Sequence, residues 1–155
     1  MANQEIIKKN YRDAVAGIME EWLISKHTKW YEYITRLSNK LQTTYLIVVL
    51  DNQIFNGGFQ QYYVNGYGQF TTETIRALIA IGANRKATLL EKAYKLVNKD
   101  NDSDVVFRKR ILNKEISTLF NDDVLFKSLD DLDDQYYDDE KENIEELLGG
   151  YLKAY

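Results

Sequence analysis

Seven uncharged, largely apolar residues, TYLIVVL at 44–50, constrain this chain more than any other feature. Taken alone, such a run fits either a buried strand or part of a buried helix. Its surroundings decide. Leu41, Tyr45, Val48, Asn52 and Phe55 recur at helical spacing, while Ile47, Leu50 and Ile54 do so on another side. That pattern is too long for a strand, and a helix apolar on several sides belongs in the middle of a core. Ser38 stands where its N-cap falls, and the chain contains no proline to break it.

The remaining pattern is also helical. Ile7, Tyr11, Val15, Ile18, Met19 and Trp22 form one stripe, predicting a helix of about 20 residues from Asn3. Residues 28–37 are too aromatic to assign. Thr71 or Thr72 is the expected cap of a helix carrying Ile75, Leu78 and Ile79, ended by Gly82, with Asn84 opening the next. That helix shows Leu89, Leu90, Ala93, Leu96 and Val97, and a polar loop follows from Asn98 to Ser103. Val106, Phe107, Arg110, Ile111, Lys114 and Leu119 mark another helix. Phe126, Leu129, Leu132 and Tyr136 mark a further one, and Ile144, Leu147, Leu148, Tyr151 and Leu152 the last. No hairpin alternation and no internal repeat is visible. The expected fold is all-α, a single-domain bundle of six to eight helices over residues 1–155, with an acidic C-terminal segment at 122–146.

Composition limits the chemistry. At 155 residues one domain is expected, and 28% charged with 45% apolar residues matches an ordinary globular chain. There is no cysteine, so disulfides, thiolate nucleophiles and cysteine-bound metals are excluded. No secretory or membrane-spanning apolar run is present, and a cytoplasmic protein is expected. The sequence carries no nucleophile elbow, no phosphate-binding glycine loop and no H-E-x-x-H. His27, the single histidine, sits in a polar Ser-Lys-His-Thr-Lys stretch with no second imidazole or thiolate to share a metal. Asp100, Asp102 and Asp104 match the first three liganding positions of an EF-hand loop, but Val105 and Ile111 replace the required Gly and Glu. The expectation is a non-enzymatic protein with no metal and no cofactor.

Residues 55–70, FNGGFQQYYVNGYGQF, hold four of the eight glycines and no charge. Asn56-Gly57 reads as the end of the core helix, Gly58 as a close chain reversal, and Asn65-Gly66 as a second turn. Phe59, Tyr62, Tyr63 and Tyr67 would then bury their rings. The competing reading makes Gln60, Gln61 and the tyrosine hydroxyls a contact surface.

The string Asn56-Gly57-Gly58-Phe59, with Gln61-Tyr62, Asn65, Ala77-Leu78 and Ile81-Gly82-Ala83, resembles a family of small bacterial DNA-mimic proteins. The resemblance runs from about Leu41 to the C-terminus and includes Asp134 and Tyr136-Tyr137. It implies an all-helical, dimer-forming protein that blocks a helix-turn-helix transcription factor by occupying its DNA-binding surface.

Charge is polarised along the chain in a way that suits such a role. Residues 122–146 hold twelve acidic and two basic side chains, whereas residues 1–121 hold seventeen basic and twelve acidic ones. Twenty-five helical residues would extend about 37 Å. Duplex DNA presents about 22 phosphates over that length, so twelve carboxylates approximate one side of it. Asp130, Asp131 and Asp134 lie opposite the apolar stripe of their helix, and Glu142, Glu145 and Glu146 do likewise on the last. Like charges at that spacing cost a helix a few tenths of a kcal/mol per pair.

Two readings follow. The acidic run is a solvated face, or it pairs with the basic stretch 85–114. Alternatively it is a contact surface for a basic protein, with Asp130, Asp131, Asp133, Asp134, Asp138, Asp139, Glu142, Glu145 and Glu146 as the candidate contacts. On that reading the partner is a basic protein such as a DNA-binding regulator, with no direct nucleic acid and no membrane. An alternative class is a helical nucleic-acid-binding protein using Arg76, Arg85, Lys86, Lys92 and Lys95 around Gly82. An immunity or antitoxin-type inhibitor shares the acidic-surface physics with a different target.

Overall fold

The computed structural model describes residues 1–24, 28–138 and 140–154. Every regular element among them is helical. In order they are α1 (Asn3–Val15), α2 (Glu20–Ile24), α3 (Lys29–Arg36), α4 (Asn39–Val64), a 3-10 turn (Tyr67–Phe70), α5 (Thr71–Ala80), α6 (Asn84–Val97), α7 (Asp104–Leu112), α8 (Thr118–Asn121), α9 (Asp123–Tyr136) and α10 (Ile144–Lys153). The count exceeds the expected six to eight because α2 and α8 are short pieces of five and four residues. None of the helices is long and apolar enough to cross a membrane.

The predicted 20-residue first helix is broken in two, and Tyr33 is the physical reason. Its hydroxyl donates to the carbonyl of Ala14 at 2.6 Å and accepts from the Gly17 N–H at 3.2 Å. The ring occupies the space a β-carbon at Gly17 would need, so the chain passes close to it there without a side chain. The stretch 28–37, unassigned from the pattern, contains α3, which buries Trp30 and Ile34.

Helix α4 is the centre of the core, as its apolar surround requires. Tyr45, Leu46, Ile47, Leu50 and Ile54 are buried, and α1, α5, α9 and the 3-10 turn all pack on it. A fully buried side chain of this kind contributes about 1.5–3 kcal/mol. The buried Trp30 indole N–H is matched there, donating to the Tyr45 hydroxyl at 3.0 Å.

The first helical segment of α4 does end at Asn56-Gly57, as expected: Gly58 breaks it, and a second helical segment, which the pattern did not assign, runs on to Val64. Gly58 has φ +78° and ψ −176°, a backbone conformation essentially confined to glycine. The second segment buries Phe59, Tyr62 and Tyr63 completely, and Gly66, at φ +86°, makes the turn expected there. Thr71 does not cap α5. Its hydroxyl donates back to the Gly68 carbonyl at 2.6 Å and ties the 3-10 turn to the helix. Gly82 does end α5, at φ +89°, and α6 opens at Asn84. The helix expected to run through Lys114 to Leu119 stops at Leu112; Lys114 has φ +55°, which no helix accommodates.

Candidate partner-binding face

Residues 122–146 run through α9 and the connection after it into the start of α10, the two helices that the apolar stripes predict. Asp122 caps α9 by accepting from the Leu125 N–H at 3.0 Å, and Asn143 caps α10 by accepting from Glu146 N–H at 3.0 Å. Between the two helices the chain turns at the C-terminus of α9, where the Arg85 guanidinium donates to the carbonyls of Gln135 and Asp138. A cation at a helix C-terminus is favourable. The stripe of α9 that packs inward is Leu125, Leu129, Leu132 and Tyr136, with Phe126 only partly buried.

The nine candidate carboxylates divide into three groups. Asp130, Asp131, Asp134, Asp138, Glu145 and Glu146 are exposed. Among the described residues none of these six pairs with a lysine or arginine; Glu145 accepts from the Gln4 amide at 3.2 Å. The second group corrects the sequence reading. Asp133 and Glu142 are buried, at 7% and 8% exposure, and already committed to backbone donors. Asp139, like His27, lies outside the described residues.

Asp133 accepts from the Phe59 N–H at 2.8 Å, capping the second segment of α4 just beyond the bend. Burial pushes its carboxyl up to about 6; the hydrogen bond from Phe59 opposes this, while Asp130 and Asp134 add to it. Glu142 accepts from both Arg85 N–H and, at 2.8 Å, Lys86 N–H, capping the N-terminus of α6. The acidic segment is thus pinned to the rest of the molecule by two carboxylates at two helix starts, a natural use of a negative charge.

The motif at Asn56–Asn65 is architectural around this pin. Gly58 supplies the bend, and a β-carbon there would stand 2.1 Å from the Asp133 carboxylate. Asn56, Gln61, Asn65 and Gln53 form an amide chain, with Gln61 and Asn65 both donating to the Gln53 carbonyl oxygen at 3.0 Å. Tyr62 is in hydrogen-bond reach of Thr74, and Gln60 donates to the Leu119 carbonyl at 2.9 Å.

The basic constellation does not assemble. Lys86 is fully buried with its ammonium 4.3 Å from the Tyr136 ring centre, and Arg85 is occupied at the end of α9. Arg76 leans on Glu73, Lys95 on Glu91, and Lys92 stands exposed on α6. Asp100 and Asp102 both engage Arg110, at 3.0 and 2.7 Å, and Asp104 accepts from the Tyr94 hydroxyl.

Sequence reasoning missed Asp51 and the Phe55–Tyr137 pair. Asp51 accepts from the Tyr136 hydroxyl at 2.8 Å, and its signal was a lone charge inside the apolar helix. Phe55 is half exposed, 5.2 Å from the ring of Tyr137, whose hydroxyl donates to the Ile54 carbonyl. Burial raises the Tyr137 phenol, and Asp133, Asp134 and Asp130 raise it further, which places that ring within the field of the acidic face.

No curated protein and no solved structure matches the chain. The model of the DMP19-like protein family matches residues 35–155, which include the bend of α4 and both buried pins, and the chain belongs to that family.

Proposed function

We propose that this protein is a non-enzymatic, DNA-mimic-like binding protein that occupies the basic, nucleic-acid-facing surface of a partner such as a transcription factor. The observation that carries the reading is the set of six exposed carboxylates on α9, its following loop and α10, none of them paired with a lysine or arginine among the described residues. Membership of the DMP19-like family supports the same role. Unpaired carboxylates concentrated in one segment steer a basic partner toward them and discriminate against acidic ones. The two buried carboxylates act indirectly, by fixing the elements that display the rest. An immunity-type target would use the same face; a nucleic acid would be repelled by it. The homodimer expected from the resemblance belongs to this proposal and is checked by light scattering.

The test is capture of partners from the native cell on the immobilised protein at low salt, followed by elution with duplex DNA. A DNA-binding protein released by DNA and by salt, and not captured by the Asp130→Asn/Asp131→Asn/Asp134→Asn variant, is the expected result. Equal capture by that variant sinks the proposal.

A further inference from the structure

Between α9 and α10 the molecule leaves one strip of α4 uncovered. Val48, Asp51, Asn52 and Phe55 follow one another at helical spacing; Val48 and Asp51 are partly buried, Asn52 is exposed and Phe55 half exposed. At the Val48 end, Ile7 of α1 and Ile144 and Leu148 of α10 close a groove of about 310 Å³ with Glu145 and Lys8 at its edges. At the other end, the rings of Phe55 and Tyr137 form an aromatic ledge, with Asp130 and Asp134 close enough to perturb the Tyr137 phenol. The Tyr137 hydroxyl is held by the Ile54 carbonyl, which fixes that ring in place. Asp51 is held by the Tyr136 hydroxyl and Tyr137 by the Ile54 carbonyl, so the strip offers the side chains of Val48, Asn52 and Phe55 beside the exposed carboxylates of Asp130, Asp134 and Glu145.

We propose that this strip receives a basic amphipathic helix of the partner, an arginine stacking on the Phe55–Tyr137 ledge and an apolar side chain entering the groove beside Val48. The inference rests on the acidic-face reading and adds the chemistry that reads the partner. Seven residues separate Val48 from Phe55, about 10 Å of helix, which an antiparallel or parallel helix matches with two side chains two turns apart. Arginine is selected over lysine because its planar guanidinium stacks on aromatic faces while bonding carboxylates at its edge. Charge complementarity thus supplies approach, and the strip supplies shape and residue preference.

The test uses a labelled helical peptide with Arg and Leu seven residues apart on one face, and its Arg→Lys counterpart, with binding read by fluorescence anisotropy at low salt. The Arg peptide binds more tightly than the Lys peptide, and Phe55→Ala or Asn52→Lys each weakens it by about tenfold. Asn52 is exposed, so its replacement obstructs the strip without touching the core, and thermal melts of both variants confirm folding. Binding that ignores both substitutions, or no binding of the Arg peptide, overturns the docking strip. Loss of binding in the Asp130→Asn/Asp131→Asn/Asp134→Asn variant with no effect of Phe55→Ala or Asn52→Lys refutes the strip and leaves the acidic face standing. The reverse pattern supports the strip and refutes the acidic face.

Discussion

The bend at Gly58 and the start of α6 meet the same need with the same chemistry, but with different neighbours. Each exposes backbone N–H groups at a helix start, and each takes a buried carboxylate from the acidic segment. At α6 the carboxylate of Glu142 is met by two N–H donors, those of Arg85 and Lys86. At the bend Asp133 accepts one, from Phe59, and feels the charges of Asp130 and Asp134 beside it. The comparison separates two tasks of one acidic run. Glu142 anchors; Asp133 anchors at the expense of crowding by the very residues that face outward.

Two substitutions probe the anchors themselves. Gly58→Ala has the largest effect, because it places a side chain at φ +78° and ψ −176° and drives its β-carbon into the Asp133 carboxylate. Backbone strain and overpacking together cost about 3–5 kcal/mol, read as a loss of denaturant midpoint. An unchanged midpoint would mean the bend is not held. Glu142→Ala leaves two helix-start N–H groups without their acceptor and costs about 2–3 kcal/mol. If it proves as mild as a surface substitution, α6 is not anchored through this residue.

How much of this the chain discloses in advance depends on whether a feature is periodic. The all-helical architecture and the buried position of α4 follow from the spacing around residues 44–50, and Gly82 and Asn84 fall where composition put them. Asp133 was legible too, since it stands four residues after Leu129 and three before Tyr136, on the buried stripe rather than opposite it. Lys86 occupies the same kind of position ahead of Leu89, Leu90 and Ala93. Glu142 had no such signal, because it lies in a loop and its partners are 56 and 57 residues away. The break at Gly17 was equally hidden, as it depends on Tyr33 arriving from another helix. Positive φ at Gly58 rather than at Asn56 or Gly57 is a tertiary choice: it is the position that brings Phe59 N–H to Asp133.

The crowding at Asp133 gives the comparison a pH signature. Its carboxyl titrates at about 6 in the folded protein, above its ordinary value, so the folded state binds the proton more tightly than the unfolded chain does. The stability that Asp133 contributes is therefore fully present below about pH 4, is lost as pH rises toward 6, and changes no further above it. Asp133→Asn keeps an acceptor for Phe59 N–H without a charge to bury. The variant is expected to be more stable than the native chain by about 1–3 kcal/mol at pH 7, and by little at pH 4. A variant less stable at both pH values would show that ionised Asp133 is favoured at the bend and that the two anchors are alike.

The smallest effect divides the causes of that signature. Asp130→Asn/Asp131→Asn/Asp134→Asn removes like-charge pairs along the exposed face of α9, a gain of a few tenths of a kcal/mol per pair, so the melt should move slightly upward. The same variant lowers the Asp133 titration midpoint, since Asp130 and Asp134 no longer repel its charge. Burial is the larger cause, so the midpoint remains above the ordinary carboxylate value, followed through the Asp133 carboxyl carbon by NMR. A midpoint that returns fully to that value would assign the whole shift to the neighbouring charges. One that does not move would mean that the outward carboxylates and the inward anchor do not sense each other, and that the acidic segment works as two independent parts.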